Sequence, residues 1–440
     1  MKGVIEHFEQ LTSAEKLYGL SLFWKEASYN FAFFDQVAEL DFNQMYQEFI
    51  PKVIAAKSTY EYYRTLQLFC ALLQDGHTNI YMPSDVEENN IDWPPISTTE
   101  LNQEAIVTSI AHDLLESIPL GSKILAVDDV PIKAYLERKV MPYIASSTNH
   151  ILWAEAVRKL LHGAPNSYLV LTILTPQGER RSKSVGRDAR SGRYVEQSLN
   201  LPSAQNKLIK YKRFEMDISY IGLNDFSREE VIREFELLLP AVRKSKGLIL
   251  DLRFNGGGSS LIAAEILSHL TRVPLQGASW KARQHVSVYK AWGVVNNNYK
   301  QYAEDNAWIT GEHEMIEPKP SALTNLPIYV LIGRDTASAA EDFLVYTQSL
   351  DYITTIGEKT YGSTGQPLFH NLPGGGCFRI CSKRDCFPDG KEFVGIGIEP
   401  NIVVTPKYQH VLNGVDYVLD TAVELMKKNI IGKTNASLNS

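Results

Sequence analysis

Short apolar runs alternate with segments of helical period in the part of the chain that follows residue 205. The runs Gly247–Leu252, Ile328–Ile332 and Ile353–Ile356 predict strands, and Ser259–Leu270 and Ala339–Gln348 predict helices. Such alternation is typical of parallel βαβ units, in which functional groups gather where strands end and helices begin. We therefore expect residues 205–430 to form an α/β domain.

The segment 1–92 predicts an N-terminal helical region. A capping box starts at Thr12, and a second helix carries an apolar face from Tyr62 to Leu73. This helix should end at Gly76, a natural C-cap residue. That end would place His77 on the turn just beyond the helix.

A small β module is expected over residues 101–190, after an Asn- and Pro-rich linker at 87–95. Its strands are short, and the Asp128–Asp129 pair marks a turn between two of them. The run Gly121–Pro131 resembles the second half of a PDZ domain. The whole chain is thus predicted to be a multidomain α/β protein with helical, PDZ-like and α/β parts.

Charge and hydropathy exclude several classes of partner. The formal net charge is −7, from 44 basic and 51 acidic residues, and no Lys/Arg run suggests binding to nucleic acid. No apolar stretch approaches the ~18 residues of a membrane span, and we expect no signal peptide in this chain. Compartment and oligomeric state stay open.

The four cysteines are too few for a disulfide framework. Cys377 and Cys381 lie in a segment that predicts a strand, where four residues separate them by roughly 13 Å. That separation is too long for one tetrahedral zinc ion, so we expect no metal and no organic cofactor. A disulfide between Cys381 and Cys386 stays open for an exported protein.

Two strand-to-helix turns, Asp251–Gly258 and Gly333–Glu341, contain the candidate functional residues. The first places consecutive glycines at a helix N-terminus, where backbone N–H groups suit an oxyanion or a phosphate. A phosphate-binding loop is disfavoured, because Gly357–Thr364 has Ser363 where the lysine belongs. In the second turn, Ser338 also fits an ordinary helix cap.

Three ordered motifs resemble the C-terminal processing (tail-specific) serine peptidase family: Leu248–Gly258, Thr336–Glu341 and Ile356–Gly362. The resemblance covers roughly residues 60–425 and implies a crotonase/ClpP-like α/β catalytic domain. It also implies that Ser338 is the nucleophile. The implied oxyanion hole consists of the backbone N–H groups of Ala339 and of either Gly257 or Gly258.

One position departs from the best-known branch of that family, which uses a Ser-Lys dyad: Ser363 stands where the lysine belongs. Lys359 precedes the Thr-x-Gly motif and does not fill the gap. Asp75–Thr78 resembles a segment of the branch related to tricorn protease, which implies His77 as the base. In that branch a glutamate supports the histidine, and Glu399 is its match. Ser363 could replace the hydroxyl that precedes the histidine in tricorn.

The resemblance therefore implies a serine endopeptidase that cleaves protein or peptide substrates through an acyl-enzyme. An imidazole base predicts an apparent pKa of about 6 to 7.5 for the acid limb of activity. Two alternatives stay open. The same fold serves retinoid-binding relatives as a ligand-binding module, so the chain could be a non-catalytic binding protein. A serine esterase or amidase would share the same residues.

Overall fold

The computed structural model describes residues 11–203, 207–320, 322–323 and 326–438, and these form two compact units. The first unit comprises Met1–Gln197, Ala282–Ile309 and Gln366–Lys383. The second comprises Ser198–Lys281, Thr310–Gly365 and Arg384–Ser440. The first unit thus joins the helical region and the β module, and it takes in two later segments that the sequence analysis assigns to the 205–430 domain.

The helices and strands are numbered here in chain order. The α-helices are α1 Ser13–Asn30, α2 Phe42–Ala55, α3 Thr59–Ala71, α4 Ser84–Asn90, α5 Ile132–Tyr135, α6 Asn149–Lys159, α7 Glu230–Val242, α8 Ser260–Ser268, α9 Ser287–Gly293, α10 Lys300–Ala303, α11 Ala339–Thr347, α12 Tyr408–Leu412 and α13 Tyr417–Leu438. The strands are β1 Asn79–Tyr81, β2 Ile96–Leu101, β3 Glu104–Ile110, β4 Lys123–Val127, β5 Val130–Pro131, β6 Tyr168–Leu174, β7 Arg180–Gly186, β8 Gln197–Ser198, β9 Ile209–Phe214, β10 Ile218–Leu223, β11 Gly247–Asp251, β12 Leu275–Gln276, β13 Ser279–Arg283, β14 Trp308–Gly311, β15 Met315–Ile316, β16 Ile328–Ile332, β17 Ile353–Gly357, β18 Pro367–Asn371, β19 Cys377–Cys381, β20 Arg384–Cys386 and β21 Ile402–Val403.

The N-terminal helices follow the sequence prediction at their start but not at their end. The capping box of α1 is present, because the Thr12 hydroxyl accepts a hydrogen bond from the Glu15 N–H at 3.2 Å. The prediction that the second helix ends at Gly76 is wrong: α3 ends at Ala71, and Gln74 takes the left-handed φ of 49°. His77 nevertheless lies on the turn between α3 and β1.

In the first unit, a strand near the N-terminus pairs with strands that come about 300 positions later. Strand β1 pairs antiparallel with β19, which pairs in turn with β18. The register places Asn79 opposite Arg379.

The linker predicted over 87–95 is wrong in its first part, because α4 covers Ser84–Asn90.

The β module has a hydrophobic core of its own. Its antiparallel sheet has the order β2-β3-β4-β6-β7, and β5 pairs with β4 through the predicted turn. Asp128 and Asp129 both adopt positive φ there, at 49° and 61°, as a tight two-residue hairpin requires. Apolar side chains of this sheet pack with those of α6, including Ala156 and Val157.

The second unit is built on a six-stranded sheet in the order β21-β17-β16-β11-β10-β9. All neighbouring pairs are parallel except β10 with β9, which confirms the predicted βαβ organisation. Every residue of β11 and of β16 is buried, as expected for central parallel strands. Helix α13 packs on the sheet through side chains such as Ala422 and Met426. The carboxyl ends of β11 and β16 lead into the two turns that the sequence analysis singles out.

Candidate active site

Ser338 lies in a strained turn between β16 and α11. Its φ and ψ are 55° and −125°, a conformation that a residue with a side chain rarely adopts and that recurs at catalytic nucleophiles. Its hydroxyl makes no cap hydrogen bond to α11. Ser338 is therefore not an ordinary helix-capping serine. The Thr336 hydroxyl braces the turn by donating to the Leu252 carbonyl at 2.8 Å. Ser338 is half-buried and therefore reachable.

The glycine-rich turn after β11 lies directly against Ser338. A Cβ atom on Gly257 would come within 2.6 Å of the Ser338 Cβ and 3.0 Å of the Ala339 nitrogen, so only glycine fits. Asn255 fixes this turn: its amide donates to the Leu223 carbonyl at 3.0 Å, and its side-chain oxygen accepts from the Gly257 N–H at 2.9 Å. The close approach lets the backbone of this turn face the start of α11.

Gly258 has a different environment from Gly257. Its φ is 139°, and a Cβ atom there would lie 2.2 Å from the carbonyl carbon of Phe226. The Ala339 N–H opens α11, and the first N–H groups of a helix have no acceptor within the helix. The second unit thus brings Ser338, Ala339, Gly257 and Gly258 into one region of the backbone.

Ser363 also lies beside Ser338. Its side chain is fully buried, and its carbonyl accepts a hydrogen bond from the Ser338 N–H at 3.1 Å. The position at which the lysine branch places its base is therefore adjacent to Ser338 but carries a hydroxyl. This contact involves only backbone atoms, and a catalytic role of the Ser363 side chain stays a prediction.

A residue that the sequence analysis did not select, Glu341, holds the Ser363 segment in place. Its fully buried carboxylate accepts hydrogen bonds from the Thr360 hydroxyl at 2.5 Å, the Gly362 N–H at 2.8 Å and the Ser363 N–H at 3.0 Å. Burial raises the pKa of Glu341 to about 8, against the opposite effect of these three donors. Glu341 therefore ties the turn at 360–363 to the first turn of α11.

We expect the raised pKa of Glu341 to make stability depend on pH. The folded protein holds this proton more tightly than the unfolded chain does, so its stabilising effect is present below the unfolded pKa of 4.5 and is lost as pH rises through about 8. Urea unfolding at about pH 5 and about pH 9 should show Glu341→Gln clearly less stable than wild type at the lower pH and closer to it at the higher. Glu358→Gln, a control in the same segment, should show no such convergence. Parallel pH curves for wild type and Glu341→Gln would contradict the assignment.

Glu399 forms an ion pair with Lys359. The Lys359 Nζ lies 2.5 Å from Glu399 Oε1, and the glutamate side chain is 62% exposed. Both residues belong to the second unit. These contacts are those of a surface ion pair, and the orienting role of Glu399 stays a prediction.

His77 lies in the first unit, on a turn that is held from several sides. The Asp75 carboxylate accepts hydrogen bonds from the Thr78 hydroxyl at 2.6 Å and from the Ser147 hydroxyl at 3.1 Å. The Ser147 hydroxyl in turn accepts from the Gly76 N–H at 2.8 Å. Ser147 comes from the 101–190 segment, so the β module helps to fix the backbone on both sides of His77.

Arg379 supports the same turn from β19. Its guanidinium donates to the Gly76 carbonyl at 3.0 Å and to the Asn79 side-chain oxygen at 2.8 Å. The His77 side chain is buried, and this burial, with a smaller effect of the Arg379 charge, lowers the pKa of His77 to about 3. The imidazole is therefore neutral at physiological pH, with a ring nitrogen able to accept a proton.

All four cysteines, Cys70, Cys377, Cys381 and Cys386, are free thiols. Among the described helices, none combines the length and the apolar character needed to cross a membrane.

Comparison with known proteins finds similarity to peptidases. Residues 217–404 match the model of peptidase family S41. It is 26% identical over 240 residues to a carboxy-terminal-processing protease of Bartonella bacilliformis, which covers 53% of this chain and 49% of that relative. A carboxyl-terminal-processing protease of Picosynechococcus sp. is 24% identical over 365 residues, covering 81% of this chain and 76% of the relative.

Solved structures share the fold of this chain over nearly its whole length. Mature CPAF matches with a TM-score of 0.75 at 17% identity, covering 96% of this chain and 98% of that chain. A putative peptidase from Parabacteroides merdae matches with a TM-score of 0.54 at 18% identity, covering 94% and 97%. The chain spans about half the length of the Bartonella relative. At these identities the structural matches establish the fold alone.

Proposed function

We propose that this chain is a serine endopeptidase that cleaves protein or peptide substrates, with Ser338 as nucleophile and His77 as general base. The observation that carries the proposal is the strained φ of 55° at Ser338, combined with the glycine turn that packs against it. Strain of this kind persists only where the surrounding structure enforces it, and a nucleophile on a strand-to-helix turn is a recurring reason. The match of residues 217–404 to the model of peptidase family S41 supports the same function.

The proposed reaction is an acyl transfer in two steps. His77 removes the Ser338 hydroxyl proton as the oxygen attacks the peptide carbonyl, and it then delivers that proton to the leaving amine. Water, deprotonated by the same imidazole, hydrolyses the ester and regenerates the Ser338 hydroxyl. The tetrahedral oxyanion would be held by two backbone N–H groups.

We favour the N–H groups of Ala339 and Gly258 as the oxyanion hole. The Gly257 N–H already donates to the Asn255 side chain, which makes Gly258 the better of the two glycine candidates. Gly257 would then serve by letting the turn approach Ser338, a place no side chain could occupy. The helix dipole of α11 adds to the field of the Ala339 N–H.

Three observations support a histidine base over a lysine. Ser363 occupies the position of the lysine, and Lys359 is paired with Glu399. His77 lies on a braced turn, which limits the disorder of the imidazole. Its lowered pKa keeps the ring in the neutral form that a base requires.

The finer architecture is part of the proposal. The sheet of the 101–190 segment and its Gly121–Pro131 run support a PDZ-like module that would bind peptide segments. The parallel sheet of the second unit supports a crotonase/ClpP-like catalytic domain. A single-chain mechanism of this kind uses no metal and no organic cofactor.

The proposal is tested by a fluorophosphonate probe, which labels only an activated serine. We expect one probe per chain, located on Ser338 by peptide mass spectrometry, and cleavage of unfolded protein substrates by the same preparation. Absence of labelling would favour a non-catalytic binding protein. Labelling with hydrolysis of small esters but no cleavage of any peptide would favour an esterase.

The bracing of the His77 turn gives a prediction for Ser147. Ser147→Ala removes the acceptor of the Gly76 N–H and one partner of Asp75, so the imidazole should occupy its working position less often. We expect kcat to fall about 10-fold with KM nearly unchanged. Ser146→Ala is the control, since the Ser146 hydroxyl donates to the Thr148 carbonyl and not to this turn. An equal fall in both variants would mean that the loss is one of general stability.

A further inference from the structure

A histidine and two glutamates meet between α7 and α8 of the second unit. Glu236 belongs to α7, Glu265 belongs to α8, and His269 follows the last residue of α8. One ligand atom of each side chain lies within 4.8 Å of those of the other two. Glu265 and His269 are four residues apart, a spacing that places both side chains on one face of a helix. We call these three residues the α7–α8 cluster.

His269 is the unusual member of this cluster. The residue is only 5% exposed, yet neither of its two ring nitrogens has a hydrogen-bond partner among the described residues. Its Nε2 is directed at Glu236 Oε1 but lies 3.4 Å away, too far for a good hydrogen bond. A buried polar group without a partner is costly, and such groups are rare in native proteins. The geometry therefore indicates that a ligand belongs between these side chains.

We propose that the α7–α8 cluster binds a divalent transition-metal ion of the zinc class. Imidazole nitrogen together with carboxylate oxygens is a usual ligand set for zinc, whereas Mg²⁺ and Ca²⁺ prefer oxygen alone. Coordination would give the His269 ring nitrogen the partner that it lacks. The exposed Glu236 side leaves room for water as the fourth ligand.

The charge of the cluster also suits a dication. Two carboxylates face one neighbouring cation, since the Lys319 Nζ lies 2.6 Å from Glu265 Oε1. A metal ion would bind the remaining Glu265 oxygen or would displace this exposed lysine into solvent. The alternative is an ion pair between His269 and Glu236, for which the Nε2–Oε1 distance of 3.4 Å is long.

The proposed metal ion would link α7 and α8. Bound to α7 and α8 together, the ion would resist their separation and stabilise the folded protein by mass action. Helix α8 begins directly after the glycine turn, which the ion would therefore help to hold. None of the three residues belongs to the proposed catalytic machinery, and metal binding does not depend on whether the chain is a peptidase.

The test measures zinc binding to the full-length protein after removal of metals with a chelator. Isothermal titration with Zn²⁺ should give one equivalent bound, and saturating Zn²⁺ should raise Tm by about 3–8 °C, whereas Mg²⁺ at the same concentration should not. His269→Ala and Glu236→Gln should each weaken Zn²⁺ binding at least about 10-fold. Glu236 is exposed, so its variant should fold even if the His269 variant does not.

Glu234→Gln is the matched control, because Glu234 is also an exposed glutamate of α7 but lies outside the cluster. It should bind Zn²⁺ as wild type does. Equal binding by Glu236→Gln and Glu234→Gln would overturn the proposal, as would the absence of stoichiometric Zn²⁺ binding to wild type. A stability difference between these variants that does not change on adding Zn²⁺ would instead establish the His269–Glu236 ion pair.

Discussion

Ser338→Ala is expected to abolish fluorophosphonate labelling and to lower kcat for peptide cleavage by on the order of 10⁵-fold or more. Without the hydroxyl no acyl-enzyme can form, and what remains is binding and the oxyanion hole acting on water. The variant should keep its fold. The Ser338 hydroxyl makes no cap hydrogen bond, and the backbone strain at this position is already borne by a residue with a Cβ atom.

The control for this prediction lies just beyond the helix that follows Ser338. Ser349 is an exposed serine just beyond the end of α11, and Ser349→Ala should label and cleave as wild type does. Unfolding curves of the two variants should superimpose within the error of a typical surface substitution, about 0.5 kcal/mol. Undiminished cleavage by purified Ser338→Ala would refute Ser338 as the nucleophile and would require another serine in that role.

The parallel sheet could be predicted from sequence because each of its central strands is marked by a short local run of apolar residues. The central strands are short apolar runs buried on both faces, and the predicted run Ile328–Ile332 is β16 residue for residue. The glycine turn could also be predicted from sequence. Gly257 and Gly258 both adopt positive φ and lie close to other backbone atoms, and glycine is the residue that allows both. The strain at Ser338, by contrast, is a product of the packed turn and could be located only through the family motif.

The supporting residues could not be found because their partners are distant in sequence. Arg379 reaches the His77 turn through the pairing of β1 with β19, about 300 positions apart, and nothing local marks it. Ser147 is an ordinary loop serine until its hydrogen bond to the Gly76 N–H is seen. Glu341 is the last residue of the Thr336–Glu341 motif, but nothing local indicates that its carboxylate accepts hydrogen bonds from the 360–363 turn.

His77→Ala is expected to lower kcat by on the order of 10³-fold or more, whereas Lys359→Ala should have an effect of less than about 3-fold. The imidazole is the group that accepts the nucleophile's proton, and the Lys359 ammonium is occupied by its ion pair with Glu399. Glu399→Gln should fall between them if the carboxylate orients His77, and should resemble Lys359→Ala if it is a surface charge.

The pH profile separates a buried histidine from an ordinary one. Because burial and Arg379 lower the pKa of His77 to about 3, the neutral base persists in acid, and the acid limb should lie well below the range of about 6 to 7.5 expected from sequence. The same lowering of the His77 pKa makes the free energy of unfolding depend on pH. The folded-state pKa lies below the unfolded value of 6.5, so the contribution of His77 is present above pH 6.5 and is lost as pH falls toward 3.

These effects are measured together as kcat and urea stability from about pH 4 to about pH 9 for wild type, His77→Ala and Lys359→Ala. His77→Ala should be inactive throughout. It should also lose less stability than wild type between about pH 6.5 and about pH 4, because alanine does not bind a proton in the unfolded chain. Arg379→Gln should move the acid limb of the wild-type profile upward, since the neighbouring positive charge is gone. A near-normal His77→Ala beside an inactive Lys359→Ala would refute His77 as the base and would favour a lysine in that role.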